Sequence, residues 1–335
     1  MLQKNVIDNG CKMSQKIRLE RQAPLNSSGL RFDQVAAELF PQYSRARLQS
    51  WIRAGDLRLA DSVVKPNTRI LGGEQLSLTA ELQPEGEWLA QALELDIVYE
   101  DEHILVINKA ADVVVHPAAG NPDGTILNAL LHHAPQVQSV PRAGIVHRLD
   151  KDTTGLMVAA KTLEAQTSLV KQLQARTVSR EYDALAQGAM LSGGTVDAPI
   201  GRHPRQRTKM AVVEFNGKPA ITHYRVDERL GVFSRLRVKL ETGRTHQIRV
   251  HMAHIGHPLV GDKGYGSRLQ SLKGLDADIA NAVRAFPRQA LHAAQLGLIH
   301  PISGEFMQWQ APMPEDMSQL LALLATLDNQ SGDYL

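Results

Sequence analysis

The chain has 335 residues, of which 43% are hydrophobic and 21% charged, so it is long enough for two globular domains with substantial cores. Its formal net charge of +2 excludes a generally polycationic protein, so any nucleic-acid partner must meet locally clustered Lys and Arg side chains. A single cysteine, Cys11, excludes an intramolecular disulfide, and no run of about 20 apolar residues is present to span a membrane, which favours a cytoplasmic protein.

The N-terminal segment is polar and shows no hydrophobic period. It also lacks the apolar core of a signal peptide. We therefore expect residues 1–24 to form a disordered extension, in which Met13 is an alternative start of translation.

A small folded unit is predicted over residues 25–82. An apolar stripe with helical spacing predicts a first helix that Pro41 ends. Ser44 is a suitable N-cap for a second helix, and Gly55 is suited to end it. Alternation of polar and apolar residues then predicts short strands at 57–59 and 74–78.

The second helix of this unit exposes Arg45, Arg47 and Arg53, a face that suits either solvent or RNA. The run SRARLQSWIRAGDLRL followed by GGEQLSL resembles the S4 RNA-binding domain. One departure is Ala60-Asp61, where that family usually has Asn-Gly. The resemblance implies that the three arginines contact RNA.

The rest of the chain is predicted to be a linker, a large domain and a short tail, over residues 83–95, 96–325 and 326–335. In the large domain, short apolar runs precede single helices without a regular βαβ alternation, so we expect an α+β fold with a large mixed, mainly antiparallel sheet flanked by helices. The predicted strands include residues 104–107, 113–115, 144–146 and 234–240. Helices are predicted from Thr125, Thr162, Thr245 and Pro314.

The segment RAGIVHRLDKDTTGLMVAAK, residues 142–161, holds the densest group of chemically capable side chains. An apolar strand at 144–146 is predicted to lead into a polar loop. In one interpretation Asp150 or Asp152 caps backbone amides there and Gly155 supplies a positive φ. In the other, a rigid strand end presents a catalytic carboxylate.

The run HRLDKDTTGLMV closely resembles the signature of the RluA family of pseudouridine synthases, and the similarity extends over residues 25–324. The resemblance implies that Asp150 is the essential carboxylate. It also implies that Arg148 enters the RNA stack beside a flipped uridine, with His147 as a further RNA contact.

Two further motifs of the family follow in order. SREYDALAQG supplies Tyr182, which the resemblance places against the target base. LETGRTHQIRVHMA supplies Arg249, which by the same resemblance pairs with Asp150, while Arg244 is a second candidate for that pair or for a phosphate contact.

The implied reaction converts uridine into its isomer pseudouridine, which requires no redox cofactor, metal or cosubstrate. The S4-like unit and the runs NPDGTILNALLHH, HPLVGDKGYG and LHAAQLGLIHPISGE resemble the branch of the family that acts on 23S ribosomal RNA. We therefore expect 23S RNA, free or in the assembling large ribosomal subunit, as the partner of a monomeric enzyme. A related synthase acting on tRNA and an RNA-binding assembly factor without catalysis remain alternatives.

Two other groups of residues invite a function. Arg202, Arg205, Arg207 and Lys209 form a basic stretch without an acidic residue, which suits RNA phosphates or solvent. The histidines His246, His251, His254 and His257 have ligand-like spacing, but HExxH and a nearby cysteine are both missing. We expect these histidines to be polar core or RNA-facing residues rather than zinc ligands.

Overall fold

The structure, a computed structural model, describes residues 16–81, 88–118, 120–206, 208–266, 272 and 274–331. The helices among them are α1 (Phe32–Leu39), α2 (Arg45–Ala54), α3 (Ile126–His133), α4 (Leu163–Gln174), α5 (Gln247–His254), α6 (Ala277–Ala285) and α7 (Glu315–Ser331). The strands are β1 (Lys16–Gln22), β2 (Leu57–Leu59), β3 (Gln75–Glu81), β4 (Ile97–Glu100), β5 (Ile104–Lys109), β6 (Thr154–Ala160), β7 (Ser179–Gln187), β8 (Gly194–Asp197), β9 (Ile200–Arg202), β10 (Met210–Val212), β11 (Ile221–Leu230), β12 (Phe233–Leu240), β13 (Leu291–Ile299) and β14 (Phe306–Gln310).

The N-terminal unit is a three-stranded antiparallel sheet covered by α1 and α2. Strand β3 lies between β1 and β2. The Ser44 hydroxyl accepts a hydrogen bond from the Arg47 amide, and Gly55 ends α2 with a left-handed φ of 83°, as predicted. The core between helices and sheet is built from Phe32, Phe40, Leu48, Trp51, Ile52 and Leu78.

The predicted start of this unit at residue 25 is wrong. Strand β1 begins at Lys16 and pairs along its whole length with β3. Ile17 and Leu19 pack against the core while the residues between and after them are exposed, the alternation of a half-buried strand. The rest of the predicted extension, residues 1–15, lies outside the described residues.

The large domain is organised around one sheet, which in the described part of the chain has nine strands in the order β4-β5-β6-β13-β7-β12-β11-β8, with β14 paired to β13. All neighbouring strands are antiparallel except β6 and β13, so the predicted α+β fold with a mixed, mainly antiparallel sheet is confirmed. Alternating residues of β5 supply both faces of the sheet: Leu105 and Ile107 enter one core, Ile104 and Val106 the other.

Two predicted strands are absent from the described residues. Residues 113–115 form no strand, but the carbonyls of Val114 and Val115 accept the first amides of α3. Of the predicted strand 144–146, Gly144 ends a 3₁₀ turn, Pro141–Gly144, in which Arg142 has a left-handed φ of 54°. The loop that carries Asp150 therefore leads into β6 instead of leaving a preceding strand.

The predicted linker and tail differ from the structure in detail. Residues 88–95 contain no helix or strand, yet they are tied to α3, because Asn128 Nδ2 donates to the Leu89 carbonyl at 2.7 Å. Residues 326–331, predicted as tail, continue α7. No described helix combines the length and the apolar composition that crossing a bilayer requires.

Gly155 permits the close approach of β6 to β13. Its φ is 110°, so the positive φ considered from the sequence is present. A Cβ at this position would overlap the Ala293 carbonyl oxygen. Gly155→Ala is expected to lower the free energy of unfolding by about 3 kcal/mol, because both backbone strain and overpacking oppose it. Urea denaturation of the purified variant measures this change.

Gly256→Ala is the matched control. Its φ of 85° is also left-handed, but no atom lies within 4 Å of the added Cβ. Only the backbone cost of about 1–2 kcal/mol then applies. Equal losses of stability in the two variants would show that the close approach to β13 contributes nothing.

Candidate active site

A cleft of about 830 Å³ lies beside the β6–β13–β7 part of the sheet. Its walls are the loop that carries Asp150, the first half of β7, and the segment that joins β12 to α5. The side chains of Asp150, Tyr182 and Arg249, which lie far apart in the sequence, all line it. The sequence-predicted catalytic residues are thus brought together.

Asp150 and Arg249 form an ion pair at the cleft wall. Arg249 Nη1 donates to Asp150 Oδ2 at 3.0 Å, and the two side chains are only 12% and 16% exposed. At this burial an ion pair is only weakly screened by solvent.

Asp262 holds Arg249 from the other side. Its fully buried carboxylate accepts from Arg249 Nε at 2.7 Å and from Nη2 at 2.9 Å, a two-bond fork. The amides of Gly264 and Tyr265 also donate to it. Burial alone would raise the pKa of Asp262, but these bonds lower it below its usual range. Burial alone would lower the pKa of Arg249, but the carboxylates of Asp262 and Asp150 raise it.

His246 and Tyr265 complete this wall of the cleft. His246 has a left-handed φ of 57°, rare for a residue with a side chain. Its Nδ1 lies 2.7 Å from Tyr265 Oη, and its Nε2 lies 3.9 Å from Asp150 Oδ1. Burial lowers the pKa of His246, so the ring is neutral at neutral pH. The Arg249 guanidinium carbon lies 5.0 Å from the Tyr265 ring centre, within cation–π distance.

Asp262 and Tyr265 were not predicted from the sequence. Both fall in the run HPLVGDKGYG, whose similarity to the family carries no assigned role for either residue. Asp262 follows Gly261 in a turn, where an aspartate ordinarily caps the local backbone. Only the fold reveals that this carboxylate also holds Arg249.

A buried lysine supports the loop that carries Asp150. Lys109, 2% exposed, donates from Nζ to the carbonyls of Ala110, Val113 and Lys151, the last at 2.8 Å. Burial lowers the pKa of Lys109 to about 7, although nearby carboxylates oppose this. Since Lys151 follows Asp150 directly, these bonds fix the backbone that presents the carboxylate.

The next residues of the same loop, 152–154, are held by β13 and the residues before it. Gln289 Nε2 donates to Thr153 Oγ1 at 3.0 Å, and His292 Nδ1 lies 2.9 Å from Thr154 Oγ1. Arg288 Nη1 is 3.4 Å from the Asp152 carbonyl. Each of the four residues that follow Asp150 is therefore held by a contact with another part of the chain.

Tyr182 lies on β7 with its ring buried, 6% exposed. Burial raises the pKa of its phenol, so the side chain stays protonated near neutral pH. The residue is therefore part of the core and of the cleft wall at once.

The three predicted RNA contacts that line the cleft, His147, Arg148 and Arg244, differ in their environment. Arg148 is exposed at the cleft. His147 instead uses Nε2 to accept the Val158 amide at 3.0 Å, and burial lowers its pKa to about 3. Arg244 donates from Nε to the Pro219 carbonyl at 3.1 Å, and Arg249 makes the pair with Asp150.

The predicted basic stretch forms the hairpin of β9 and β10. Arg205 is exposed at its tip, and Arg202 is exposed on β9. Lys209 Nζ donates to the Gly264 carbonyl at 2.6 Å, which ties the hairpin to the Asp262 turn. Arg207 lies outside the described residues.

The arginines of α2 differ in their environment. Arg45 Nη2 donates to the buried Asp33 carboxylate at 2.7 Å. Arg47 lies over Trp51, 5.9 Å from the ring centre, and Arg53 is exposed. One face of α2 thus carries all three arginines, with Arg45 held by Asp33.

The histidines considered for zinc do not converge. His251 uses both ring nitrogens internally, with Thr222 Oγ1 and the Ala198 carbonyl each 2.9 Å away. His257 Nδ1 lies 2.9 Å from the Gln187 carbonyl. Among the residues that the structure describes, no three His, Cys, Asp or Glu side chains are grouped as metal ligands.

Comparison with known proteins identifies the family. Residues 103–254 match the family described as RNA pseudouridylate synthase. The chain is 59% identical to the ribosomal large subunit pseudouridine synthase D of Pseudomonas aeruginosa, covering 93% of this chain and 97% of that one. It is 56% identical to the protein of the same name from Escherichia coli K12, covering 93% and 96%.

The fold comparison agrees. Human RNA pseudouridylate synthase domain containing 4 superposes with a TM-score of 0.52 at 26% identity, over 68% of this chain and 92% of that one. Human RNA pseudouridylate synthase domain containing 1 gives 0.51 at 28% identity, over 71% and 97%. The chain therefore belongs to the RNA pseudouridylate synthase family, which confirms the family and the isomerase class predicted from its motifs.

Proposed function

We propose that this protein converts specific uridines of large-subunit ribosomal RNA, the 23S RNA, into pseudouridine in the cytoplasm, with Asp150 as its catalytic carboxylate. The observation that carries the proposal is the Asp150–Arg249 pair at the wall of a cleft also lined by Tyr182. Relatives named ribosomal large subunit pseudouridine synthase D, 54–59% identical to this chain, support the choice of RNA.

The reaction breaks the N1–C1′ bond, turns the uracil and joins its C5 to C1′. The proton lost from C5 is balanced by one gained at N1, so substrate and product are isomers. Asp150 can attack C1′ as a nucleophile or remove a proton at the 2′ position as a base. Both roles require the ionised carboxylate, and the hydrogen bond from Arg249 Nη1 fixes its position at the cleft wall.

The target base must leave the RNA stack to enter the cleft, at a cost of a few kcal/mol. The exposed Arg148 side chain can fill the vacated space. Tyr182 can lie against the base, and such stacking contributes about 1–3 kcal/mol. These two contacts offset part of the cost of flipping.

The RNA around the target would meet two basic surfaces. The N-terminal unit, which we propose is an S4 domain, presents Arg47 and Arg53. The β9–β10 hairpin, which Lys209 ties to the Asp262 turn, carries Arg202 and Arg205 as exposed residues. A monomer carries all of these groups, so the proposal requires no second copy of the chain.

Asp150→Asn should abolish pseudouridine formation, because a neutral amide can act neither as the base nor as the nucleophile. RNA binding should stay within a few-fold of wild type. The control is Asp112→Asn, the same chemical change at an exposed carboxylate that pairs with Lys151. Pseudouridine mapping in total RNA, from cells lacking the gene and supplied with each variant, gives the readout.

Large-subunit pseudouridines should be missing from cells without the gene and from cells supplied with Asp150→Asn. They should be present in cells supplied with the wild type or with Asp112→Asn. If the missing sites lie only in tRNA, the proposed substrate is wrong. If folded Asp150→Asn restores them, the proposed role of Asp150 is wrong.

Asp262→Asn should slow isomerisation at saturating RNA by about 10- to 100-fold, because Arg249 loses its second anchor and the Asp150 carboxylate is misplaced. RNA affinity should change little, since the Asp262 side chain is fully buried. Glu100→Gln on β4, which breaks a partly buried pair with Lys161, is the control and should keep the wild-type rate. Equal rates for wild type and Asp262→Asn would remove Asp262 from the mechanism.

Arg53→Ala combined with Arg205→Ala should reduce the slope of log affinity against log salt by about 0.7–0.9 for each RNA phosphate that the variant no longer neutralises. Both side chains are exposed. Arg284→Ala on α6 removes an exposed arginine outside the cleft and should leave the slope unchanged. Filter binding across a salt series measures the slopes. An unchanged slope for the double variant would show that neither arginine contacts an RNA phosphate.

A further inference from the structure

Arg180 is a buried cation in the catalytic cleft. It lies on β7 two residues before Tyr182, so both side chains project from the same face of the strand. Both line the cleft, yet Arg180 is only 7% exposed. The reaction steps assigned to Asp150, Arg249 and Tyr182 leave it without a role.

The hydrogen bonds of Arg180 within the protein are few. Its Nη2 donates to the Glu241 carbonyl at 3.2 Å. Its Nε is buried and has no hydrogen-bond partner among the described residues. No carboxylate of the described residues lies within 4.0 Å of its guanidinium.

Comparison with Arg288 shows that this is unusual. Among the described residues only Arg180 and Arg288 are buried arginines, and Arg288 has a two-bond pair with the Asp316 carboxylate, both bonds 2.7 Å long. A buried charge without a partner is costly. The arrangement around Arg180 therefore suits a ligand that brings negative charge into the cleft.

The burial of Arg180 indicates which part of the RNA would bring the negative charge. RNA phosphates follow the mouth of the cleft, whereas an extruded base can enter it. Tyr182 shares the cleft with both charges: Asp150 lines it from the loop before β6, and Arg180 lies two residues away on the same face of β7. A uracil lying against Tyr182 would thus have the carboxylate on its sugar side and a guanidinium within reach of its ring.

We propose that Arg180 donates a hydrogen bond to a carbonyl oxygen of the target uracil and stabilises the negative charge that the base carries while it is detached from the sugar. When the N1–C1′ bond breaks, its electron pair stays with the uracil and is shared by O2 and O4. A fixed guanidinium stabilises that charge more than it stabilises the neutral uridine. The inference rests on the proposed isomerase function and deepens it.

The test uses Arg180→Gln, which retains a donor for the Glu241 carbonyl but removes the charge. Single-turnover rates are measured with RNA carrying uridine, 2-thiouridine or 4-thiouridine at the target position, since sulfur accepts hydrogen bonds poorly. The variant should react about 10- to 100-fold more slowly with uridine, the size of one charge-assisted bond made in the transition state, with RNA affinity within a few-fold of wild type. Arg180→Lys should recover part of the rate.

The thio substrates distinguish a contact with the base from a structural role. In the wild type one of the two sulfur substitutions should slow the reaction more than it does in Arg180→Gln, because only the wild type has a bond to lose. Any general effect of sulfur on reactivity is shared by both enzymes and cancels. Equal effects of sulfur in both enzymes, at both positions, would overturn the proposal.

Gly243→Ala keeps the inference testable if Arg180→Gln fails to fold. A Cβ at position 243 would lie 2.8 Å from Arg180 Nη1, so the guanidinium must move while the residue remains. This variant should show the same slow rate and the same reduced sensitivity to sulfur. Weaker RNA binding with a normal saturated rate would instead indicate a phosphate contact and overturn the proposal, whereas an inactive wild-type enzyme would refute the proposed function itself.

Discussion

The arrangement of the cleft depends on one guanidinium shared by two carboxylates. Arg249 uses Nη1 for Asp150 and the remaining side of its fork for Asp262. Asp262 is fully buried and is itself fixed by two backbone amides, so it acts as the immobile member. Asp150 is the member that keeps some exposure and faces the cleft. The Arg249 guanidinium therefore links the carboxylate that faces the cleft to one that is buried and fixed.

Several features of the fold could be predicted from local sequence because local chemistry determines them. Ser44 and Gly55 bound α2 through a side-chain cap and a left-handed φ, both properties of single residues. The alternation of β12 places Leu236, Val238 and Leu240 in the core, as its period of two requires. By contrast, the apolar run 113–115 was predicted as a strand, whereas its carbonyls receive the start of α3, a contact that hydrophobicity does not encode.

The candidate site likewise contains residues that the sequence could predict and residues that only the fold reveals. Asp150, Tyr182 and Arg249 were predicted because each lies in a long motif that resembles a family signature, and the fold places them in one cleft. Asp262 escaped prediction, since an aspartate beside a glycine has the pattern of an ordinary turn. Arg180 escaped for a different reason: its unusual property is the absence of a carboxylate nearby among the described residues, and that becomes visible only when the neighbours of β7 are known.

The parallel pairing of β6 and β13 also affects when activity can arise. The loop that carries Asp150 is fastened by Arg288, Gln289 and His292, about 140 positions later in the chain. Bringing together segments of such high sequence separation costs loop-closure entropy, which slows folding. A nascent polypeptide that has emerged only through α5 contains Asp150, Tyr182 and Arg249 but lacks β13. We therefore expect the loop that carries Asp150 to be held in place only after β13 has been synthesised.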